Sequence, residues 1–242
     1  TLAPLASPVF TGNVGIGVTP ETWGTNGDFT GLQVGTGLSL YGRGAGDEDR
    51  VGMMGNAYHD ATNDRYEYIG TGHATHYAHS DGQHVFQVAP SGTADAAISF
   101  TTAMAIDNAG RVTKPLQPSF IARGYASRPS SVVLFSSVPH NVGSHYNNSN
   151  GRFTAPIAGN YLMTWFANAK SATHYMNWAL HINGNEYGGA YSDTNTANYD
   201  TTGGAMVVSL AAGDYVNVFS TLSYPAPSTT TSYSFFSGYL LG

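Results

Sequence analysis

Apolar residues along this chain alternate with polar ones in short runs that break at glycine, asparagine, aspartate or proline. Leu32 and Val34, then Leu38 and Leu40, stand two apart between glycines, which predicts strands. Short pieces follow at Met53–Met54, Tyr66 to Ile69, Val85 to Val88 and Ile98 to Phe100. Ala103 to Val112 reads as a hairpin whose turn is Asp107 to Gly110. Pro115 and Pro118 interrupt the pattern, and longer strands come after them. These are Phe120 to Tyr125, Val132 to Phe135, Tyr161 to Phe166, Tyr175 to Ile182, Ala205 to Leu210, Asp214 to Ser220 and Tyr233 to Leu241. Turn signals such as Asn150–Gly151, Ala158–Gly159, Asn183–Gly184 and Ala212–Gly213 separate them, a spacing that suggests a sandwich or jelly roll.

Composition narrows the picture to an all-β protein. Hydrophobic residues make up 41% and aromatic residues 12%, enough to build a core and to exclude global disorder. Charged residues are only 10%, too few for the exposed faces of helices. Nine Lys plus Arg without clustering, at net charge −6, leave no stripe for phosphate neutralisation and argue against nucleic acid. No window of 18 apolar residues exists, so no membrane insertion is expected. Zero Cys removes disulfides, thiolate metal sites and cysteine nucleophiles together. Thr1 to Phe10 carry no basic or apolar leader, and the chain opens in mid-motif without Met, so a C-terminal fragment of something longer is expected.

Two features point to an oligomer. In Thr1 to Pro20, single apolar residues sit among three prolines and three glycines, too sparse to close a core within one chain. Tyr175 to Ile182 and Tyr233 to Leu241 are apolar on both faces, whereas a sandwich strand needs only one buried face. Another subunit is the economical cover for the second face.

Several stretches carry a resemblance. Asn141-Val-Gly-Ser-His-Tyr146 and Gly151-Arg-Phe-Thr-Ala-Pro-Ile-Ala-Gly-Asn-Tyr161 resemble the signature of the complement C1q-like globular head. Leu180-His-Ile-Asn-Gly184, Leu210-Ala-Ala-Gly-Asp-Tyr-Val216 and Phe236-Ser-Gly-Tyr-Leu-Leu241 follow in the family's order. The resemblance implies a jelly roll of the tumour-necrosis-factor type, assembled as a homotrimer, with Tyr215 and Phe219 as further interface candidates. Upstream, Leu2 to Gly17 is similar to shaft segments of bacteriophage tail fibres, and residues 38–118 to the module that often follows such a shaft. The collagen stalk of animal members is missing from this sequence. The expected organisation is a shaft segment over residues 1–30, a β-rich intermediate domain over 31–116 and a C1q-like head over 117–242. The function this combination implies is a non-enzymatic receptor-binding tip of a phage tail fibre, located on the virion, attaching to a host surface glycan or outer-membrane protein. The alternative is a cellular C1q-like secreted lectin or signalling ligand. A third reading is a polysaccharide depolymerase.

Candidate chemistry adds little to the case for an enzyme. No G-x-S-x-G elbow is present, and the 15 acids fall in no distinctive pair that a depolymerase would use, so no catalytic residue is assigned. His73, His76 and His79, with His59 and His84 nearby, raise a metal on an oligomer axis, but spacing of three sends alternate side chains to opposite faces of a strand. Asp47, Glu48 and Asp49 lack the alternation of a calcium loop and read as a solvated turn. No metal or cofactor is therefore expected. Receptor contact is sought in the polar stretch Tyr187 to Asp200, through Tyr187, Tyr191, Asp193, Asn195, Asn198, Tyr199 and Asp200. Tyr146, Asn147 and Asn148 are expected to assist. Rigid tyrosine rings beside adaptable polar groups suit both sugars and protein surfaces.

Overall fold

The computed structural model describes residues 10–24, 28–44, 46–125, 131–170, 175–193, 199–221 and 233–242. Among the described residues every regular element is a strand. The chain divides into two compact units, Thr1–Pro115 and Leu116–Gly242.

The first unit is built on one eight-stranded sheet. Its strand order is β1 (Val14–Ile16), β2 (Phe29–Val34), β3 (Leu38–Arg43), β4 (Val51–Gly55), β7 (Gly72–Ser80), β8 (Gln83–Gly92), β9 (Thr101–Ile106) and β10 (Val112–Thr113). A hairpin of β5 (Ala57–Asp60) and β6 (Arg65–Tyr68) is the unit's other sheet. β1 pairs parallel with β2, and the remaining neighbours pair antiparallel. Trp23, Phe29, Tyr41, Met54, Tyr58, Tyr68 and Ala74 form the core. Glycine content has a packing cause here. A Cβ at Gly92 would lie 2.2 Å from the Tyr68 ring, and one at Gly52 would lie 2.5 Å from the Tyr41 ring, so these rings rest on bare backbone.

The second unit is a sandwich of two sheets. One runs β13 (Phe135–Val142), β11 (Ser119–Tyr125), β21 (Phe235–Leu240), β16 (Gly159–Lys170), β19 (Tyr199–Leu210). The other runs β14 (Tyr146–Asn147), β15 (Arg152–Thr154), β20 (Tyr215–Ser220), β17 (Tyr175–Ile182), β18 (Asn185–Asp193), with β12 (Ser131–Val132) paired to β20. Between them lie Phe120, Phe135, Phe153, Tyr161, Met163, Trp165, Met176, Trp178, Leu180 and Phe236, all buried. The expected Asn183–Gly184 turn closes the β17–β18 hairpin with both residues at positive φ, 52° and 85°, a backbone that Asn and Gly adopt most easily. Asn183 Nδ2 donates to Asp214 Oδ1 at 2.8 Å, while Asp214 Oδ2 accepts from the Ala211 amide at 2.8 Å. One carboxylate thus ties two neighbouring turns together.

The structure corrects the reading of the apolar faces. The second face of β17 is not an open apolar patch: Ala179 is buried, and His181 stacks on Phe219 at 4.6 Å. Tyr215 is likewise engaged within the chain, beneath the Arg152 guanidinium at 4.0 Å. The last strand does keep an exposed second face, as expected, and from it the open apolar row of this unit runs across β21, β16 and β19. There Tyr239 pairs with Leu162 and Leu162 with Val207, and Tyr239 and Val207 are exposed.

Candidate functional site

The receptor-contact residues proposed from sequence fall in different places. Tyr187 and Tyr191 are exposed on β18, at 55% and 71%. The stretch that contains them is not one polar loop: Asn185–Asp193 and Tyr199–Leu210 are strands, so Asp193, Tyr199 and Asp200 belong to the ladder. Its low apolar content concealed strands held by backbone pairing across Gly188–Gly189 and Gly203–Gly204. Asn195 and Asn198 lie outside the described residues.

Tyr146 is a correction. It is 3% exposed, and its ring stacks on Phe120 at 4.8 Å with 6° between planes. Its neighbours Asn147 and Asn148 are exposed. Asn147 Oδ1 accepts from the Ser149 amide and hydroxyl at 2.9 and 2.7 Å, which closes the turn before Gly151. Tyr146 begins a two-residue strand paired to Phe153, and that register turns its ring inward.

Around Tyr191 the strands border an open cavity of about 510 Å³. β18 supplies Ala190 and Tyr191, β19 supplies Thr201 to Gly204, β16 supplies Thr164 to Phe166, and β21 supplies Phe235. Phe166 and Phe235 are cross-strand partners whose rings stack at 6.1 Å. The doubled glycine is needed for this shape. A Cβ at Gly204 would lie 2.8 Å from the Trp165 ring, and one at Gly203 would lie 2.5 Å from the Trp165 carbonyl oxygen. Trp165 is held in turn by its indole N–H, which donates to the Trp178 carbonyl at 3.3 Å. Thr202 Oγ1 is buried at this site without a hydrogen-bond partner. Among the described residues, no Asp, Glu, Lys or Arg lines the cavity. It therefore offers aromatic faces, hydroxyls and backbone to a ligand, but no ionic contact.

Sequence reasoning singled out Tyr191 but missed Phe166, Phe235 and Thr202. The available signal was Gly203–Gly204 inside an otherwise β-forming run, a mark of close approach to the backbone.

The other candidates fold into structural roles. His76 points into the first unit's core, where Gln87 Oε1 lies 2.9 Å from Nδ1 and the Tyr41 hydroxyl 2.9 Å from Nε2. Burial holds its pKa below the usual imidazole value, with the Gln87 bond opposing. His59 stacks on Phe29 at 4.3 Å, and burial depresses its pKa also. His79 and His84 share the Tyr77 hydroxyl, each at 2.8 Å, and His73 is exposed. Asp47 pairs with Arg43 at 3.3 Å and Arg50 at 3.7 Å, so the acidic triplet is a turn with cations beside it. Among the described residues, no group of three or more His, Asp or Glu is placed to hold a metal ion.

Comparison with known proteins bears on the second unit. The C1q domain family matches residues 120–241. Mouse Complement C1q tumor necrosis factor-related protein 3 is 33% identical over 107 residues, 43% of this chain and 44% of that protein. The human protein of the same name is 33% identical over 103 residues, 42% of each chain. The match thus spans less than half the length of these curated relatives. Similar solved structures include the globular domain of zebrafish complement 1qA, with 16% identity over 52% of this chain and 98% of that one, at a TM-score of 0.44. Murine APRIL at pH 5.0 has 14% identity over 52% of this chain and 99% of that one, also at 0.44.

The relatives correct the functional expectation. They are cellular mammalian proteins, so the reading as a phage tail-fibre tip is overturned, together with the virion location and the host-attachment role drawn from it. What resembled a fibre shaft was a spacing of Pro, Gly and isolated apolar residues, a texture that any Gly-rich β segment shares. The head signature survives: with the match extending over half of its length, this chain belongs to the C1q domain family.

Proposed function

We propose that this chain is the recognition head of a secreted C1q-like protein, acting without catalysis as a homotrimeric lectin. The carrying observation is the uncharged cavity beside Tyr191. Stacked Phe166 and Phe235, the exposed Tyr191 ring and the exposed Thr201 at the rim match a neutral sugar, whose C–H faces lie on aromatic rings and whose hydroxyls take hydrogen bonds. Among the described lining residues a charged ligand would find no counter-charge. Tyr187, Asn147 and Asn148 extend the exposed polar surface of the same head.

The homotrimer is supported by the uncovered apolar row Tyr239–Leu162–Val207 and by family membership. Trimerisation turns three weak sites into one strong attachment, a gain of roughly 10²–10⁴. A second reading, a signalling ligand that binds a protein receptor, is favoured by the 33% identity to C1q/TNF-related protein 3.

Screening the full chain on an array of neutral and acidic glycans tests the lectin reading. Retention on neutral glycans that is lost with Tyr191→Ala supports it. No glycan bound, with saturable binding to a protein receptor instead, would replace it by the signalling reading.

A further inference from the structure

We infer that the outer face of the eight-stranded sheet in the first unit is a contact surface for further copies of this chain. The inference rests on the homotrimer proposed for the head, to which residues 1–115 are covalently tethered.

The strand register builds this face. Val14, Leu32, Leu40, Met53, Tyr77, Phe86 and Met104 are successive cross-strand partners, one apolar side chain from each of seven strands. The opposite face of the sheet carries buried Gln33, Ser39, Tyr41, Met54, Ala74, His76 and Ala78, so the core is already closed on that side. On the outer face Leu40, Met53 and Phe86 are 37%, 47% and 36% exposed, and Tyr77 stacks on Phe86 at 4.6 Å. The rows to either side add Ile16, Val88, Val51 and Val112, exposed at 55%, 43%, 39% and 57%, and the row of Val51 also carries His79 and His84, tied to the Tyr77 hydroxyl.

The size and charge of the face identify what covers it. Seven strands at ~4.8 Å spacing and three rows about 7 Å apart make a face on the order of 500 Å². That lies near the upper limit for a patch left bare on a monomer. It is also short of the ~800 Å² per partner of a stable free-standing complex. A contact of this size holds when the partners are already gathered, where a tether supplies effective concentrations in the millimolar range. No Asp, Glu, Lys or Arg stands on the three rows. A copy can therefore meet a copy without like-charge repulsion. The face equally lacks the charge pattern that would steer a different, freely diffusing partner into place.

The absence of cysteine from the chain gives a clean test. Met53→Cys is made in the full chain, with Thr62→Cys, exposed in the β5–β6 turn, as the control. Phe86→Cys serves as a second reporter on the face. Mass is measured by light scattering, thiol reactivity by maleimide labelling, and proximity by a short bismaleimide cross-linker. The expected result is a trimer in which Met53→Cys and Phe86→Cys label at least tenfold more slowly than Thr62→Cys and cross-link between chains. A trimer in which all three positions label alike, without cross-links from the face, overturns the inference and leaves the head reading standing. Protection without cross-linking means another occupant and overturns it as well. A monomer overturns both this inference and the homotrimer.

Discussion

The Tyr146 ring lies flat on Phe120, 4.8 Å away and 6° from parallel. Phe153, the cross-strand partner of Tyr146, also stacks on Phe120, at 5.0 Å. This contact joins the first strand of the head to the C1q signature stretch 26 positions later, and it makes Tyr146 a core residue rather than a recognition residue. Tyr146→Ala is expected to destabilise the head by about 3–5 kcal/mol, the cost of emptying a buried aromatic position. Tyr146→Phe, which keeps the stack, is expected to fold normally. Denaturant melts of the two variants check this; equal stability of Tyr146→Ala and the parent would refute the assignment.

The same reasoning applies to glycine beneath a ring. Gly92→Ala drives a methyl into Tyr68, whose hydroxyl donates to the Pro90 carbonyl at 2.6 Å and cannot swing away freely. A loss of about 1–3 kcal/mol is expected from this overpacking, read as a lower denaturant midpoint. Gly110, at a turn with nothing within 4 Å of the added atom, provides the contrast. There the cost of Ala is only that of its positive φ.

Acid should loosen the first unit. Burial lowers the pKa of His76 and of His59 in the folded chain, so the unfolded chain binds more protons below about pH 6.5. The stability these neutral imidazoles allow is complete above that pH and is lost as pH falls through 6.5 toward the folded values. Melting temperature should therefore drop between pH 7.5 and 5.5, and His76→Gln should flatten the dependence. An unchanged slope in His76→Gln would show that His76 does not carry it.

Asp214 sets a second, more acidic boundary. Hydrogen bonds from the Asn183 amide and the Ala211 backbone hold its carboxylate below the usual range. Its contribution is present above about pH 4 and fades as pH falls through the depressed folded value. Asp214→Asn should remove that step from the acid unfolding profile, because at neutral pH it already lacks the stability that the parent loses only in acid; an acid profile identical to the parent's would show that Asp214 does not carry the step.

Local chemistry was legible in the sequence where it acts locally. Asn183–Gly184 and Asp107–Gly110 are turns because their own backbones favour them, and no distant residue had to be known. The C1q signature pieces likewise marked the head. What escaped depends on distant partners. Tyr146 reads as a polar-loop tyrosine until Phe120 and Phe153 are brought beside it. The cavity needs β16, β18, β19 and β21 together, and neither Phe166 nor Phe235 announces a site alone. The outer face of the first unit shows only as isolated apolar residues until the register aligns them in one row. The fibre-like texture of the first residues misled for the same reason: spacing of Pro and Gly reports local backbone, not assembly or biological setting.

The central claim is recognition of a neutral glycan at the Tyr191 cavity by a trimeric head. Calorimetric titration of the full chain with the best array glycan measures it most directly. The expected result is one site per chain, with affinity for the monovalent sugar falling at least tenfold, about 1.4 kcal/mol, in Tyr191→Ala. The melting temperature of that variant should match the parent, because an exposed side chain contributes within about 0.5 kcal/mol. Unchanged affinity in a well-folded Tyr191→Ala would contradict the claim.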